Sequence, residues 1–354
     1  MISLFFKYLL ALSTPFIIIL CLIFKGHYSF VPIIYVFGII PILEIVMKPD
    51  KINLALKSEK KFKDHILFDL LLYLIVPFQI FCTYFFLETI TSSPLTTYEL
   101  VGLTASFGIG CGVLGINVGH ELGHRNKWYE RVFALILLGS SLYMHFFIEH
   151  NKGHHKHVAS PKDPASAEKG ENVYHFWFKS ITGSYIHAWH IQRVDLKRQR
   201  RSFLSFSNLM LIFHFLEISL LGIIFFFYGL EAVICFSISA FIGVLLLETV
   251  NYIEHYGLRR KKTKSGYSKV LPLHSWNSDH PIGRVLLFEV SRHSDHHYQS
   301  HRKYQVLRHF DNSPQMPYGY PAMILIACFP FLWFKIMHSH MKALEDINLL
   351  EKNS

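Results

Sequence analysis

The chain lacks the cysteine patterns of a disulfide framework or a thiolate metal site. Its five cysteines are scattered through 354 residues, and no two of them form a C-x-x-C pair. Neither cross-linking nor a zinc-ribbon type of site is therefore indicated. A nucleic-acid-binding motif is also missing, so the formal net charge of +10 is not assigned to DNA or RNA.

Charged residues are scarce, whereas apolar runs are long. Asp, Glu, Lys and Arg make up 17% of the chain, hydrophobic residues make up 51%, and Phe alone numbers 32. Apolar runs of about 20 residues cross a hydrocarbon core of about 30 Å, so the composition predicts an all-α integral membrane protein with a six-helix transmembrane bundle. The predicted spans are Leu9–Phe24, Phe30–Val46, Ile66–Leu87, Leu100–Val118, Leu209–Tyr228 and Ala232–Val250.

Lys and Arg are missing from two connections between these spans, Glu88–Glu99 and the turn near Gly229. Because cytoplasmic loops carry the excess of positive charge, we expect these two connections on the non-cytoplasmic side of the membrane and the amino terminus in the cytoplasm. The basic segments then all lie inside, where they are expected to attract anionic lipid and an acidic soluble partner. The basic segments are 48–63, 125–131, 197–201 and 259–264.

The predicted organisation is a single membrane-embedded catalytic domain, 1–354. Residues 1–118 form four spans, 119–206 a cytoplasmic segment, 207–250 a two-span hairpin and 251–354 a cytoplasmic tail. The apolar stretch Val132–Ile148 complicates this topology, because a full crossing would put the histidines on its two sides on opposite faces of the membrane. We therefore expect it to be re-entrant, or to pack against protein at the cytoplasmic end of the bundle.

The histidines of the chain are arranged in an unusual way. Nine histidines fall into four short clusters, two in 119–206 and two in 251–354. Imidazole is a good ligand for iron, copper and zinc, and nine rings exceed what one ion coordinates, so the clusters predict two metal ions. The nine are His120, His124, His150, His154, His155, His255, His293, His296 and His297.

The spacing within the clusters supports this interpretation. His120 and His124 are four residues apart, which places both rings on one face of a helix. His150 and His154 repeat that step, and His155 is turned by about 100° from its neighbour, where it can reach a second ion. Carboxylates are adjacent in sequence to several of the candidate ligands. Each could accept a hydrogen bond from the ring N–H that does not face the metal, or one of them could ligate the metal directly. They are Glu149, Glu254 and Asp295.

Two other functions compete at this point. His120-Glu121-x-x-His124 taken alone is the zinc metalloprotease pattern, with Glu121 as general base. A single zinc needs about three protein ligands, however, and would leave six clustered histidines without a role. A histidine-rich metal transporter would need ionisable residues along a path inside the spans, whereas the clusters gather at the span ends.

Four sequence stretches together resemble the bacterial membrane-bound alkane 1-monooxygenases. They are His120-Glu-Leu-Gly-His124-Arg, Glu149-His-Asn-Lys-Gly-His154-His155, Asn251-Tyr-Ile-Glu-His255-Tyr-Gly-Leu and Arg292-His-Ser-Asp-His-His297. The resemblance covers roughly residues 100–335 and includes Asp163-Pro-Ala-Ser166 and Gly319-Tyr-Pro321. Sterol and fatty-acid desaturases share only the looser histidine clusters.

The resemblance implies a non-haem di-iron enzyme of the bacterial inner membrane, with nine histidine ligands on the cytoplasmic side. Glu121, Glu149, Glu254 and Asp295 would lie in its second shell. It further implies O2-dependent hydroxylation of medium- or long-chain n-alkanes to 1-alkanols, with electrons from rubredoxin and a rubredoxin reductase. Related di-iron enzymes remain as alternatives, namely a fatty-acyl desaturase or hydroxylase and a xylene-type methyl hydroxylase.

The chain departs from the usual family pattern at three places. Ser291 stands where Gln is common, Tyr298 where Ala is usual and Arg125 where Lys is more common. None of these changes removes a ligand. Because Tyr298 directly follows the last histidine pair, we expect it to influence access to the site.

Overall fold

The protein is a bundle of long apolar helices with shorter helices and loops gathered at one end. The computed structural model describes residues 2–264 and 266–352. Within these residues, five helical stretches are long and apolar enough to cross a membrane. They are Phe5–Phe24, Gly26–Val46, Ile66–Thr91, Thr97–Gly123 and Leu209–His255.

The last stretch consists of two spans. Gly229 has non-helical backbone angles, φ 80° and ψ −179°, and divides it into 209–228 and 230–255. One helix, Val173–Arg198, shows how these halves are arranged: Tyr185 contacts His214 at 3.0 Å and Ser180 donates to Glu248 at 2.5 Å. The start of the fifth span and the end of the sixth therefore lie side by side. The predicted all-α membrane fold is confirmed.

The stretch Val132–Ile148 enters the bundle and turns back. Its helix ends at Gly139, and Leu142 adopts a left-handed φ of 52° where the chain reverses before the helix Phe146–Glu149. The fifth span completes the turn, because Glu217 Oε1 accepts a hydrogen bond from the backbone N–H of Met144 at 2.9 Å. This course agrees with the re-entrant segment that the sequence predicts.

The spans combine α-helix with short 3₁₀ and π-helical stretches. The first span consists of Ile2–Tyr8, Leu9–Leu12 (3₁₀) and Ser13–Phe24. The second consists of Gly26–Phe30 (3₁₀), Val31–Ile34, Tyr35–Ile39 (π) and Ile40–Val46. The third is the single helix Ile66–Thr91. The fourth is Thr97–Gly110, Cys111–Ile116 (π) and Asn117–Gly123.

The other elements are short, apart from two long helices outside the bundle. The helices are Leu56–Phe62, Trp128–Gly139, Phe146–Glu149, His150–His154 (π), His155–His157, Val173–Arg198, Pro272–His274 (3₁₀), Pro281–Leu286, His293–Tyr298, Tyr304–Val306 (3₁₀), Tyr320–Ala327 and Pro330–Lys352. Strands Lys262–Thr263 and Gly266–Tyr267 pair antiparallel.

Candidate metal centre

The nine clustered histidines meet at one end of the bundle in two adjoining groups. Within each group, the candidate ligand nitrogens all lie within 4.8 Å of one another. The groups touch each other, since the ring centroids of His155 and His297 are 4.5 Å apart. The first group is His120, His124, His150, His155 and His296, and the second is His154, His255, His293 and His297.

The nitrogens have the spacing that a bound metal requires. In the first group, His120 Nε2 lies 3.0 Å from His296 Nε2 and 3.1 Å from His124 Nε2. In the second group, His154 Nε2 lies 3.2 Å from His297 Nε2. Two imidazole nitrogens held at about 2.1 Å from one metal, at a right angle, are about 3 Å apart. The donor set of each group therefore fits a transition-metal ion.

Local backbone irregularities place several of these rings. His150–His154 forms a π-helical turn, which rotates the residues that follow relative to a regular α-helix. Gly153 lies inside this turn, and an added Cβ there would collide with Glu149 Oε1 and the ring of His187. A second π-helical stretch, Cys111–Ile116, precedes the helix that carries His120.

Arg292 fixes the last cluster by binding segments that are distant in sequence. Its guanidinium donates to Asp279 Oδ1 at 3.2 Å and to the carbonyl oxygens of Leu307, Asp50 and Ile52 at 2.8, 3.1 and 3.1 Å. Arg292 is buried, so these acceptors replace water for a charge that is costly to desolvate. The backbone that enters the helix His293–Tyr298 is thereby tied to the connection between the second and third spans.

One functional residue was missed by reasoning from spacing alone. Asp163 Oδ2 lies 3.0 Å from His154 Nδ1 and also accepts from Ser166 Oγ at 2.5 Å. A carboxylate on Nδ1–H fixes the tautomer and leaves Nε2 for a metal. Asp163 is nine residues from His154, beyond any helical spacing, and the Asp163-Pro-Ala-Ser166 stretch of the family resemblance was the one available signal.

Glu254 is the acidic residue that faces the ligand nitrogens. Its Oε2 lies 3.1 Å from His293 Nε2, while its Oε1 accepts a hydrogen bond from the Tyr320 hydroxyl at 2.7 Å. Because Nε2 is the nitrogen that His293 directs at His255, the carboxylate lies on the ligand side of the ring and not behind it. Glu254 is therefore placed to complete the four-histidine group.

The other three predicted second-shell carboxylates bind other partners. Glu149 Oε1 accepts from His187 Nδ1 at 3.0 Å. Glu121 pairs with Arg125 at 2.6 Å and accepts from a backbone N–H in the 302–308 loop. It is engaged in these bonds instead of being directed at a reaction site, which argues against the protease alternative. Asp295 holds the same loop through Arg302 and Arg308.

Burial keeps most of the ligand rings neutral. Desolvation, reinforced by neighbouring imidazoles, lowers the pKa of His124, His150, His155, His293 and His297 well below the usual value. The same causes lower the pKa of His296 to about 3. Burial alone would lower the pKa of His154, but the carboxylates of Asp163, Glu149 and Glu254, with Asp163 the strongest, together raise it to about 9. Neutral imidazole is the form that ligates metal.

An apolar cavity ends at these rings. His120, His150 and His293 form one end, beside Asn117, Asn251, Glu254 and Tyr320. Its remaining walls are almost entirely aliphatic or aromatic. They come from the first, second, fourth and sixth spans, the helix Phe146–Glu149 and the carboxyl-terminal segment. They include Thr14, Val36, Phe37, Ile40, Gly112, Val113, Leu246, Leu247, Val250, Leu287, Val290 and Ile324.

Neither Ser291 nor Tyr298, two of the departures from the family pattern, lines this cavity. Ser291 Oγ donates to the carbonyl oxygen of Ser278 at 3.0 Å. Tyr298 is 42% exposed and its ring packs edge-on against Phe310, with centroids 5.9 Å apart. Tyr298 is therefore a surface residue beside the metal centre and is not part of the cavity wall.

Comparison with known proteins places the chain among membrane oxygenases. A fatty acid desaturase family model matches residues 97–327, which include all nine histidines. Alkane 1-monooxygenase 1 of Alcanivorax borkumensis is 37% identical over 300 residues, which cover 84% of this chain and 74% of that protein. Alkane 1-monooxygenase of Pseudomonas putida is 38% identical with the same coverage.

The name of a more distant relative indicates a different class of substrate. The hydroxylase component of the xylene/toluene monooxygenase of Pseudomonas putida is 29% identical over 246 residues, which cover 70% of this chain and 64% of that protein.

Proposed function

The chain belongs to the alkane 1-monooxygenase family, and on that basis we propose that it hydroxylates the terminal methyl group of medium- or long-chain n-alkanes with O2 at two iron ions. The chain is a membrane oxidoreductase with a histidine-rich metal site. The observation that carries the proposal is that nine imidazoles converge at one end of an apolar cavity. A terminal C–H bond offers no polar group for acid–base or nucleophilic catalysis, and iron, when bound, supplies the redox chemistry that side chains lack.

The two groups of histidines would hold one iron each. Among the described residues, the five-histidine group includes no carboxylate. Beside the four-histidine group, Glu254 Oε2 lies 3.1 Å from His293 Nε2. Tyr320 orients Glu254 from the opposite side. We propose that Glu254 ligates the second iron, and that Asp163 holds His154 as a strong nitrogen donor.

The cavity would bind the alkane and exclude water. Its apolar walls offer the long chain no competing polar partner, so the methyl end is the part that reaches His120, His150 and His293. In the overall reaction, one atom of O2 enters the alkanol and the other leaves as water, with two electrons and two protons consumed. The new hydroxyl can form hydrogen bonds with polar side chains at this end of the cavity, namely Asn117, Asn251 and Tyr320.

Electrons would arrive from rubredoxin, kept reduced by its reductase. Of the nine ligands, His124 and His155 are the two that are partly exposed, so they mark the face nearest to a soluble donor. The flanking segments 122–128 and 151–158 contain no Asp or Glu, while Lys127 and Lys156 are exposed on them. This surface would attract an acidic donor.

We place the metal centre on the cytoplasmic side of the inner membrane. Three of the four basic segments, 125–131, 197–201 and 259–264, lie on the same connection or carboxyl-terminal segment as clustered histidines. Positive charge favours the cytoplasmic side, where soluble electron donors are reduced.

The direct test is isotope labelling in a host that cannot oxidise alkanes. The chain would be produced with rubredoxin and its reductase, and medium-chain alkanes would be supplied under ¹⁸O2. Labelled 1-alkanol, detected by gas chromatography–mass spectrometry and lost in a His296→Ala variant, is the expected result. Iron-loaded membranes that form no alkanol would contradict the proposal.

A xylene-type methyl hydroxylase is the second candidate, favoured by the similarity to the xylene/toluene monooxygenase component. The same membranes supplied with xylene distinguish the two, because a labelled benzylic alcohol formed faster than any 1-alkanol would support the aromatic substrate. A desaturase would leave no oxygen in its product.

A further inference from the structure

A short loop beside the fifth span exposes large apolar side chains. It connects the helix Val173–Arg198 to the span that begins at Leu209. Phe203 is 49% exposed, Leu204 82% and Phe206 98%. Exposed apolar groups on adjacent positions mark an interaction site more often than a chance arrangement.

The exposed apolar side chains belong to an ordered loop, which is held by hydrogen bonds and by aromatic stacking. Asn208 Nδ2 donates to the carbonyl oxygen of Phe203 at 2.9 Å, and Gln192 Nε2 donates to that of Ser207 at 3.1 Å. Trp189 stacks on Phe203 with centroids 5.7 Å apart. These contacts fix the backbone, so Leu204 and Phe206 are held in the outward position.

Five cations lie immediately before these apolar residues. All are exposed, and among residues 5–264 and 266–343, whose side chains the structure describes, none has a carboxylate oxygen within ion-pair distance. Asp195, the one acidic residue between them, pairs with Lys152. The five are Arg193, Lys197, Arg198, Arg200 and Arg201.

The loop lies where a bilayer surface would be. Its last residues cap the fifth span, since Asn208 Oδ1 accepts from the backbone N–H of Met210 at 3.1 Å. The preceding helix exposes Tyr174, Phe178 and Tyr185, and aromatic residues of this kind concentrate at the membrane–water interface. In a bilayer at this level, the apolar residues would face hydrocarbon and the cations would lie at headgroup depth.

We propose that the segment 193–206 is a binding site for anionic phospholipid in the leaflet on the side of the metal centre. The arginines and Lys197 bind the headgroup phosphates, and Leu204 and Phe206 insert at the top of the acyl chains. A cluster of 4–8 cations next to a transmembrane helix recognises anionic lipid in this way. The site is separate from the metal ligands and does not rest on the proposed reaction.

The test measures lipid contact at position 206 in nanodiscs. A Phe206→Cys variant, in a Cys328→Ser background because the other four cysteines are buried, carries an environment-sensitive fluorophore. Brominated phosphatidylglycerol and brominated phosphatidylcholine, at equal mole fraction, are compared as quenchers. We expect a blue-shifted emission and quenching that is at least about twofold stronger with the anionic lipid, as local enrichment at a polybasic site requires.

Two charge-neutralised variants provide the comparison. Replacing all five cations of the segment with Gln is expected to abolish the preference for the anionic lipid. Replacing five exposed lysines on the connection between the second and third spans removes the same charge elsewhere and is expected to preserve it. These control lysines are Lys48, Lys51, Lys57, Lys60 and Lys61.

Each other outcome overturns the proposal. Equal quenching by both lipids would show a membrane contact without headgroup recognition. An unshifted, unquenched emission would show that position 206 faces water and does not enter the bilayer. Loss of the preference on adding inorganic phosphate would assign the cations to a free anion and not to lipid.

Discussion

His154 and Asp163 form a buried pair in which Nδ1 and Oδ2 are 3.0 Å apart. The His154 side chain is 1% exposed and that of Asp163 is fully buried. The proton on Nδ1 points at the carboxylate, and Nε2 points at His297. The carboxylate thus sets which nitrogen of His154 is free to bind metal.

We therefore predict that Asp163→Asn lowers iron affinity by about 10- to 100-fold, the usual cost of losing an outer-shell carboxylate. The amide keeps the shape but not the charge that supports His154. Iron retention would be measured against a graded series of chelator concentrations. Asp195→Asn, which removes the surface partner of Lys152, is the matched control, and equal retention in both variants would contradict the assignment.

His296→Ala and His255→Ala test the division of the ligands into two groups. Each removes a nitrogen from a different group, so each is expected to lose iron and activity. Iron per protein, determined by mass spectrometry of purified protein, checks this directly. His190→Ala, at an exposed position outside both groups, should keep wild-type iron. Full iron in both ligand variants would refute the ligand set.

Val36→Trp is expected to shorten the alkanes that the enzyme accepts. Val36 lines the cavity, and the larger ring would fill space that a long chain needs. The ratio of hexadecane to octane turnover should fall on the order of 10-fold, as expected when a pocket excludes methylene groups. Ile34→Trp, on the same helix but 55% exposed, should leave the ratio unchanged. An unchanged ratio in both variants would remove the cavity from the substrate path.

Lys127→Gln combined with Lys156→Gln is expected to weaken the interaction with an acidic electron donor. Rim charges act mainly on the association rate, so the rate at low salt should fall on the order of 10-fold and the difference should vanish at high salt. Turnover driven by a small chemical reductant should not change, which separates docking from chemistry. Lys57→Gln with Lys60→Gln is the control pair. Parallel loss with both reductants would show damage to the site instead.

Gly153→Ala is expected to reduce iron in both groups. The new methyl group would collide with Glu149 and His187, and the π-helical turn carries ligands of both groups. Overpacking of this kind costs about 1–3 kcal/mol, which thermal unfolding would detect. Gly222→Ala adds a methyl group that meets nothing within 4 Å and should behave as wild type. Normal iron in Gly153→Ala would show that the turn tolerates expansion.

The clustered histidines and the spans were accessible from sequence because each has a local signature. A step of four residues placed His120 with His124, and long apolar runs marked the spans. The same step predicted His150 with His154, and this was wrong: at the π-helical turn His150 Nε2 lies 3.0 Å from His155 Nε2, and His154 belongs to the other group. The same local reasoning anticipated the reversal within Val132–Ile148, since a full crossing would separate His120 from His150.

Contacts between distant segments could not be derived in this way. The partner of His154 is reached through a loop, and Arg292 is bound by carbonyl groups on either side of residue 50. Asp295 stands between two ligands in sequence, yet its side chain holds the 302–308 loop. Adjacency to a histidine therefore did not indicate contact with its ring.

Each histidine group draws on both ends of the chain: His296 joins four ligands that precede the fifth span, and His154 joins three that follow it. The re-entrant turn likewise receives a hydrogen-bond acceptor, Glu217, from a span that the ribosome makes later. A nascent chain that has left the ribosome only up to residue 206 would not contain all the histidines of either group. Metal selection is consequently a late event in biogenesis, governed by which ions the finished protein meets after insertion.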